Sequence, residues 1–350
     1  MDSASSTSME ILNICPTGDL ILRIGKECSP AEMIKCVLVS SETMTRLSPV
    51  FNTMLNGHFC ESQLPLSSDH PPTLNIHEDN VPAMVTLCQI LHQHKYARKL
   101  VTLAEIVGVG ALGDMYKCQG AAEFWFHYQL LHRRISLADL SAKQIANIIQ
   151  AAYLFDAEEV FYDFTKAAVT HVSFDKDGKD FAQGLGDVLP DEIQEALRES
   201  QVYHLMWIQA ACKNLIGKLV DDKTDHACSG LEKRLARYTL ALQRMRIRDR
   251  WSWIELSGPP VKQVADNHQD FAARQLLYEQ STRCQTDPCR SCSVDWSQII
   301  KTEAAGFLKR VHGFCLTCIK RQNVNFTEVA ENKCEEHELP STWLADLNLK

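Results

Sequence analysis

Three features are missing from this 350-residue chain, and each absence excludes a class of protein. No apolar run approaches the ~20 residues that a transmembrane helix needs, so we expect no membrane span. The first residues, "MDSASSTSME", have neither a basic start nor an apolar stretch, so they do not read as a secretory signal but as a disordered tail over residues 1–9. Positive charge is not in excess, because 36 Lys and Arg stand against 44 Asp and Glu for a net charge of −8. The chain as a whole is therefore not expected to bind polyanions. Because no secretory signal is recognised, we expect the protein in the cytoplasm, the nucleus or both.

Patterns of catalytic residues are missing too. No nucleophile, base and acid are linked by their spacing, and the sequence contains neither H-E-x-x-H nor H-x-E. One motif typical of dinucleotide sites, "GVGALG" at residues 108–113, follows a helix-capping box rather than a strand. It also lacks the acidic residue about 20 positions later that would bind a ribose. We interpret its glycines as sites of close helix packing and predict that the chain is not an enzyme.

The 14 cysteines are present but unevenly placed. Eight lie scattered among apolar neighbours in residues 1–228, where Cys36, Cys88 and Cys212 are typical of small core residues. The other six lie in paired spacings in residues 284–334. Because thiols stay reduced inside cells, this unevenness does not indicate a disulfide framework.

The paired cysteines predict a structural zinc site. Cys289-x2-Cys292 and Cys315-x2-Cys318 are separated by a helix-sized spacer, and each pair offers two thiolates from one tight turn. Four thiolates complete the tetrahedral shell of zinc and leave no position for a reactive water, so the metal would be structural. A redox pair would instead be a single C-x-x-C at a helix start in a βαβ context, whereas this chain has two pairs and no such context.

Further candidate ligands lie around these pairs. Cys334-x2-His337 is a third pair, which could form a second site together with Cys284 and His312 or could replace one member of the first set. Spacing does not choose between one zinc ion and two. His312 also fits a surface histidine at a helix end.

The N-terminal pattern predicts short strands mixed with helices. "EILNI" and "LILRI" flank a Pro/Gly turn, which is a hairpin signal, and "CVLV" is a candidate third strand. Pro49 is expected to begin a second helix after the one around Met44, and Gly57 to end it. "TLNIHED" indicates another strand, and the helix after it is expected to begin at Asp79 or Asn80.

The pattern of the rest of the chain predicts mostly helices. Thr102 and Glu105 form a capping box, and Ser141 and Asp156 are candidate helix starts. A Gly/Asp-rich loop is expected over residues 174–188. Further helices are expected over residues 191–199, 203–220 and 229–249.

Residues 10–132 resemble the BTB/POZ domain in its fungal form. The segments that carry the resemblance are "GDLILRIG", "VLVSSETMTRLSPVFNTMLNGHFCES", "LNIHEDNVPAMVTLCQILHQHK" and "LAEIVGVGALGDMYKCQGAAEFW". The matching positions are Asp19, 37–39, Met44, 48–51, Met54, Leu55, Phe59, Glu61, Asp114, Tyr116, Cys118 and Trp125. The chain departs from many animal members at Ser40 and Ser41, where those carry a histidine and a basic residue, so the buried polar pocket must differ. The C-terminal "CLTCIK" is similar to a segment in the cysteine-rich tails of fungal BTB proteins.

The resemblance implies a non-enzymatic interaction domain that is commonly a homodimer. Some members also bind a cullin-type ubiquitin-ligase scaffold, and Phe59-x-Glu61 occupies the place of their apolar-x-acidic contact motif. Alternatively, Phe59 packs behind the helical hairpin while Glu61 is solvated. Residues 137–250 could likewise cover the apolar face that a second copy would otherwise bury.

These patterns together predict an α+β BTB/POZ-like domain over residues 10–134, an all-α region over 135–256 and a small zinc-stabilised Cys/His-rich module over 257–350. The predicted function is a protein–protein interaction scaffold. One alternative is a substrate adaptor of a cullin-type ubiquitin ligase. Another is a zinc-dependent nucleic-acid-binding regulator, for which "KRLARYTLALQRMRIRDR" at 233–250 would be the basic surface unless it is only a solvated helix face.

Overall fold

The structure, a computed structural model, is a mixed α+β protein in which helices predominate. It describes residues 10–26, 34–78, 80–133, 135, 137–172, 188–220, 235–240, 242, 260–273 and 296–321. These fall into two compact units. The first contains the described residues up to Leu140 together with Asn147–Val160, and the second contains Ser141–Ala146 and the described residues from Phe161 onward. The second unit thus includes helices from both sides of residue 257, while the three sequence-based domain boundaries stay predictions.

A four-stranded sheet forms the base of the first unit. The strands are β1 (Ile11–Asn13), β2 (Leu20–Ile24), β3 (Lys35–Val39) and β4 (Thr73–Ile76), in the spatial order β1-β3-β2-β4. β3 is parallel to β1 and antiparallel to β2, and β2 is parallel to β4. All four strands were expected from the sequence.

The predicted pairing of the first two strands as a hairpin is wrong, because β3 lies between them. Burial explains the order: Val37 and Val39 are fully buried on β3, whereas Ile11 on β1 is 48% exposed and belongs on an edge. The turn after β1 is also bound to β3, since the Asp19 backbone N–H donates to the Val39 carbonyl. A Cβ at Gly18 would lie only 2.6 Å from that carbonyl oxygen, so glycine is needed for this approach.

Helices α1 (Ser41–Leu47) and α2 (Pro49–Asn56) follow β3. Ser40 begins α1 by accepting a hydrogen bond from the Thr43 N–H. Ser48 caps α2 and Pro49 occupies its first turn, while Gly57 ends it, as the sequence predicted. The Ser48 hydroxyl also donates to the Tyr116 carbonyl at 2.6 Å and so fixes this helical hairpin to the next layer.

Three further helices follow, α3 (Val81–Leu91), α4 (Leu103–Met115) and α5 (Gln119–Leu131); α3 packs on β3, and all three pack on one another. Asn80 caps α3, and the capping box of Thr102 and Glu105 is confirmed at the start of α4. The "GVGALG" motif lies inside α4, and a Cβ at Gly110 would lie 3.0 Å from both Leu154 and Phe155. Its interpretation as a site of close helix packing is therefore confirmed.

Helices continue through the rest of the described chain as α6 (Ala142–Leu154), α7 (Glu158–His171), α8 (Asp191–Val220), α9 (Val261–Ala273), α10 (Trp296–Lys309) and the short α11 (Leu316–Lys320). None of the described helices is long and apolar enough to cross a bilayer. In the second unit α9 packs on α10 and both contact α8. Most of the predicted loop over 174–188 lies outside the described residues.

Candidate partner-binding site

The segment Phe59–Glu61 forms a short turn on the first unit. Phe59 precedes one turn of 3₁₀ helix, Cys60–Gln63, and its carbonyl accepts from both the backbone N–H and the hydroxyl of Ser62. The Cys60 thiol donates to the Glu61 carboxylate at 3.2 Å. Hydrogen bonds from the backbone N–H of Glu61 and from that thiol lower the pKa of this carboxyl. The turn thus holds an ionised carboxylate two residues from an aromatic ring.

Phe59 does not pack behind the helical hairpin, because its side chain is 56% exposed. The alternative in which this ring serves only the core is therefore wrong. The turn is already ordered by hydrogen bonds, so binding a partner there would cost little conformational entropy. Its large apolar side chain and its carboxylate can then both contact that partner. Phe59 and Glu61 lie on the same turn, and their role as a partner-binding motif stays a prediction.

Other exposed apolar side chains concentrate on the same unit. Of the eight other large hydrophobic residues that are exposed among the described residues, six lie in the first unit: Ile11, Leu66, Leu100, Met115, Phe124 and Leu131. Phe124, on α5, is the most exposed at 82%. Single exposed hydrophobics are ordinary, so it is the nearly complete exposure of Phe124 that favours an interaction role for this unit.

A polar network missed by sequence reasoning joins the start of α1 to the end of α3. Asp19 accepts from the Ser41 backbone N–H at 2.7 Å and from the Ser41 hydroxyl at 2.6 Å. The Ser40 N–H donates to His92 Nε2 at 3.0 Å, and His92 Nδ1 bonds the Cys88 carbonyl. Burial lowers the pKa of His92, which fits a neutral ring accepting at Nε2. Ser40 and Ser41 were the signal in the sequence that could have indicated this network, since the resemblance placed a buried polar pocket at these two positions.

Two of the predicted zinc ligands lie in the second unit within the described residues. Cys315 is the N-cap of α11 and Cys318 lies three residues further on, so the two thiols share one side of a single turn. Both side chains are half-buried. The spacing of this pair is compatible with two ligands offered from one turn. Cys284, Cys289, Cys292, Cys334 and His337 lie outside the described residues.

The segment before this cysteine pair is held tightly by α7. The Phe314 backbone N–H donates to the Thr165 hydroxyl at 2.9 Å. A Cβ at Gly313 would overlap the Tyr162 carbonyl, so only glycine fits there. His312 Nδ1 lies 3.5 Å from the Tyr162 hydroxyl. α7 therefore fixes the position of Cys315 from one side.

Among the described residues no group of three or more His, Cys, Asp or Glu side chains comes together as a metal site. The three cysteines expected in the core are confirmed there, since Cys36, Cys88 and Cys212 are buried. Burial raises the pKa of Cys88 and of Cys212 to about 12, which makes them poor nucleophiles. Most of the basic stretch 233–250 lies outside the described part of the chain.

The chain was also compared with known proteins. No protein-family model matches it, and no curated protein matches it.

Proposed function

We propose that the chain is a non-enzymatic protein–protein interaction scaffold. In this proposal the first unit is a BTB/POZ-like module that forms a homodimer and binds other proteins. The element order supports it: short strands, a helical hairpin, a further strand and then packed helices follow the order that the resemblance implies. The observation that carries the proposal is Phe124, a large apolar side chain on α5 that is 82% exposed.

The zinc site is the second part of the proposal. Cys289, Cys292, Cys315 and Cys318 are the first choice of ligands, and Cys334, His337 and Cys284 are the next. The anchored turn that carries Cys315 and Cys318 supports this choice, since a structural zinc needs ligands in fixed positions. Bound zinc would supply folding free energy to a segment too short to build a sufficient core of its own.

Native mass spectrometry of the reduced full chain, purified without chelator, tests both parts. We expect a dimer that carries zinc, with one ion per chain for a single four-ligand site and two if the remaining ligands form a second site. A metal-free monomer would contradict both parts. A zinc-loaded monomer would contradict the dimer alone.

A cullin-type ubiquitin-ligase adaptor is the second candidate function, and the exposed Phe59 favours it. We expect Phe59→Ala and Glu61→Ala each to reduce co-purification of a cullin by about tenfold or more, as loss of a central interface contact does. Leu66→Ala is the matched control, because Leu66 is an exposed apolar residue of the same segment, 40% exposed, outside the motif. Cullin recovery that is equal for all three variants and the wild type would reject this assignment.

A further inference from the structure

One side of α5 carries a row of side chains at a spacing typical of helix–helix contacts. Phe124 is 82% exposed and Leu131 is 46% exposed, while Ala121 is exposed and Tyr128 is half-buried. These four residues, the α5 row, follow one another at intervals of three, four and three, so they lie along one side of the helix. Helices that pair in coiled coils use this spacing for their contact residues. The row therefore fits another helix.

The opposite side of α5 is bound to its own unit. The Trp125 indole N–H donates to the Ala97 carbonyl at 2.6 Å. The buried Gln129 donates to the Lys99 carbonyl at 2.8 Å and accepts from the Val101 N–H at 3.2 Å. These hydrogen bonds fix the rotation of α5 about its axis, so the α5 row cannot turn inward to bury itself.

The two ends of the α5 row differ in size. Gly120 and Ala121 lie at the N-terminal end, and a Cβ at Gly120 would meet no atom within 4 Å, so the space above it is open. Tyr128 and Leu131 lie at the C-terminal end. An antiparallel second copy of α5 would place the large end of each helix against the small end of the other. The row is thus complementary in shape to itself, as a two-fold interface requires.

The charges beside the row fit the same arrangement. Glu123 and His127 flank it on one side, with His127 Nε2 at 3.8 Å from Glu123 Oε1. A two-fold axis perpendicular to the helices brings this flank of both copies together. If Phe124 faces Tyr128 of the second copy, Glu123 lies two residues, or about 3 Å, along the axis from the other copy's His127. Carboxylate then meets imidazole rather than carboxylate, which matters for self-association of a chain with a net charge of −8.

We propose that α5 pairs with α5 of a second copy in antiparallel orientation, with Phe124 of each copy against Tyr128 of the other. Leu131 of each copy then lies over Gly120 and Ala121 of the other. The two aromatic pairs at the centre supply most of the binding free energy. This inference rests on the proposed homodimer of the first unit and names the helix that forms it.

The test is photo-crosslinking of the full chain with p-benzoylphenylalanine in place of Phe124. We expect a covalent dimer on a denaturing gel, in which the crosslink joins the tryptic peptides 118–133 of both copies, the peptides that span α5. The comparison position is Ile11, which is 48% exposed on the edge strand β1 and should give no covalent dimer. A covalent dimer from position 11 and none from 124 would place the interface at the sheet edge and overturn the proposal. A crosslink from 124 to any other peptide of the second copy would overturn it as well.

Gly120→Leu tests the packing without harming the fold. Leucine has the higher helix propensity and its side chain would enter open space, so we expect the thermal unfolding midpoint to stay or rise. The same side chain would collide with Leu131 of the second copy, so we expect the dimer dissociation constant to rise at least about tenfold. Adding Leu131→Ala removes the collision and should restore most of the affinity.

Gly306→Leu is the matched control, because a Cβ at this helical glycine of the second unit also meets no atom within 4 Å. Its dimer dissociation constant should equal that of the wild type. Dimerisation of Gly120→Leu as tight as that of this control would overturn the pairing.

The native mass of the same samples separates this inference from the proposed function. A dimer that gives no crosslink from position 124 contradicts only the α5 pairing. A wild-type chain that is monomeric contradicts the homodimer itself, and the pairing with it.

Discussion

Gly313→Ala is expected to destabilise the second unit by at least about 2 kcal/mol, which is within the cost of forcing an extra carbon into a packed site. The added Cβ would overlap the Tyr162 carbonyl oxygen and would lie 2.6 Å from its carbonyl carbon. Both are backbone atoms of α7, and they can move only if the helix moves. The Phe314 N–H would then lose its hydrogen bond to Thr165. Chemical denaturation followed by circular dichroism measures the change.

Gly306→Ala is the matched control for this substitution. Gly306 lies within α10, and no atom lies within 4 Å of the position of its Cβ. Alanine there should stabilise the helix by up to about 1 kcal/mol, because it restricts the unfolded chain and has the higher helix propensity. Equal stability of the two variants would show that the 311–315 segment is not held against α7 as described.

A second large effect is expected on acidification. His204 and His268 are buried in the second unit, at 3% and 0% exposure. Burial lowers the pKa of each to about 4 from the ordinary 6.5, and His312 adds to the shift of His204. His268 Nε2 lies 2.9 Å from the Tyr238 hydroxyl, while its buried Nδ1 has no hydrogen-bond partner. Both rings therefore stay neutral in the folded protein at a pH where the unfolded chain protonates them.

The sign of the effect follows from proton binding. Between pH 6.5 and about 4 the unfolded state binds more protons than the folded state, so the free energy of unfolding rises with pH. The stabilisation is complete above pH 6.5 and is lost as the pH falls toward 4. Each histidine contributes on the order of 3 kcal/mol to this loss.

The slope of unfolding free energy against pH is the readout, because it separates titration from packing damage. We expect the slope between pH 6.5 and about 4 to decrease in the double variant His204→Gln/His268→Gln, whatever the effect of these changes at neutral pH. His132→Gln is the control, since His132 is exposed at the end of α5. A double variant with the wild-type slope would contradict the burial of neutral histidines.

Local signals in the sequence were sufficient for most of the elements in the first unit. The helices expected to begin at Pro49, after Asn80 and after Thr102 start there, because proline and a capping side chain act on their own neighbours in the chain. The order of the strands was beyond such signals. The order depends on which strand lies between two others. That position is decided by burial in the assembled sheet and not by the sequence of a turn.

The long helix α8 shows the same limit. The sequence predicted two helices with a break near residue 201, but Asp191–Val220 is continuous. Gln201 is buried inside it and donates to the Val169 and Val172 carbonyls at the end of α7. A polar residue in the predicted gap between two helices therefore lies inside one helix and satisfies carbonyls at the end of another.

The candidate sites also divide into short motifs that the sequence shows and contacts that only the folded chain shows. Phe59-x-Glu61 and the C-x2-C pairs are short motifs and were visible in the sequence, although five of the seven proposed zinc ligands lie outside the described residues. The support that Gln129 gives to the Lys99 and Val101 backbone was not visible, since these residues are 30 and 28 positions apart from it in the sequence. The exposure of Phe124 likewise needed the packed structure.

The most direct measurement of the central claim is the native mass of the full chain, taken beside that of Phe124→Lys. The account predicts a zinc-loaded dimer for the wild type. For the variant it predicts the same zinc content with a smaller dimer fraction, because a charge at an exposed apolar position of an interface must be desolvated. A metal-free monomer of the wild type would contradict the account of this protein as a zinc-stabilised, dimeric scaffold.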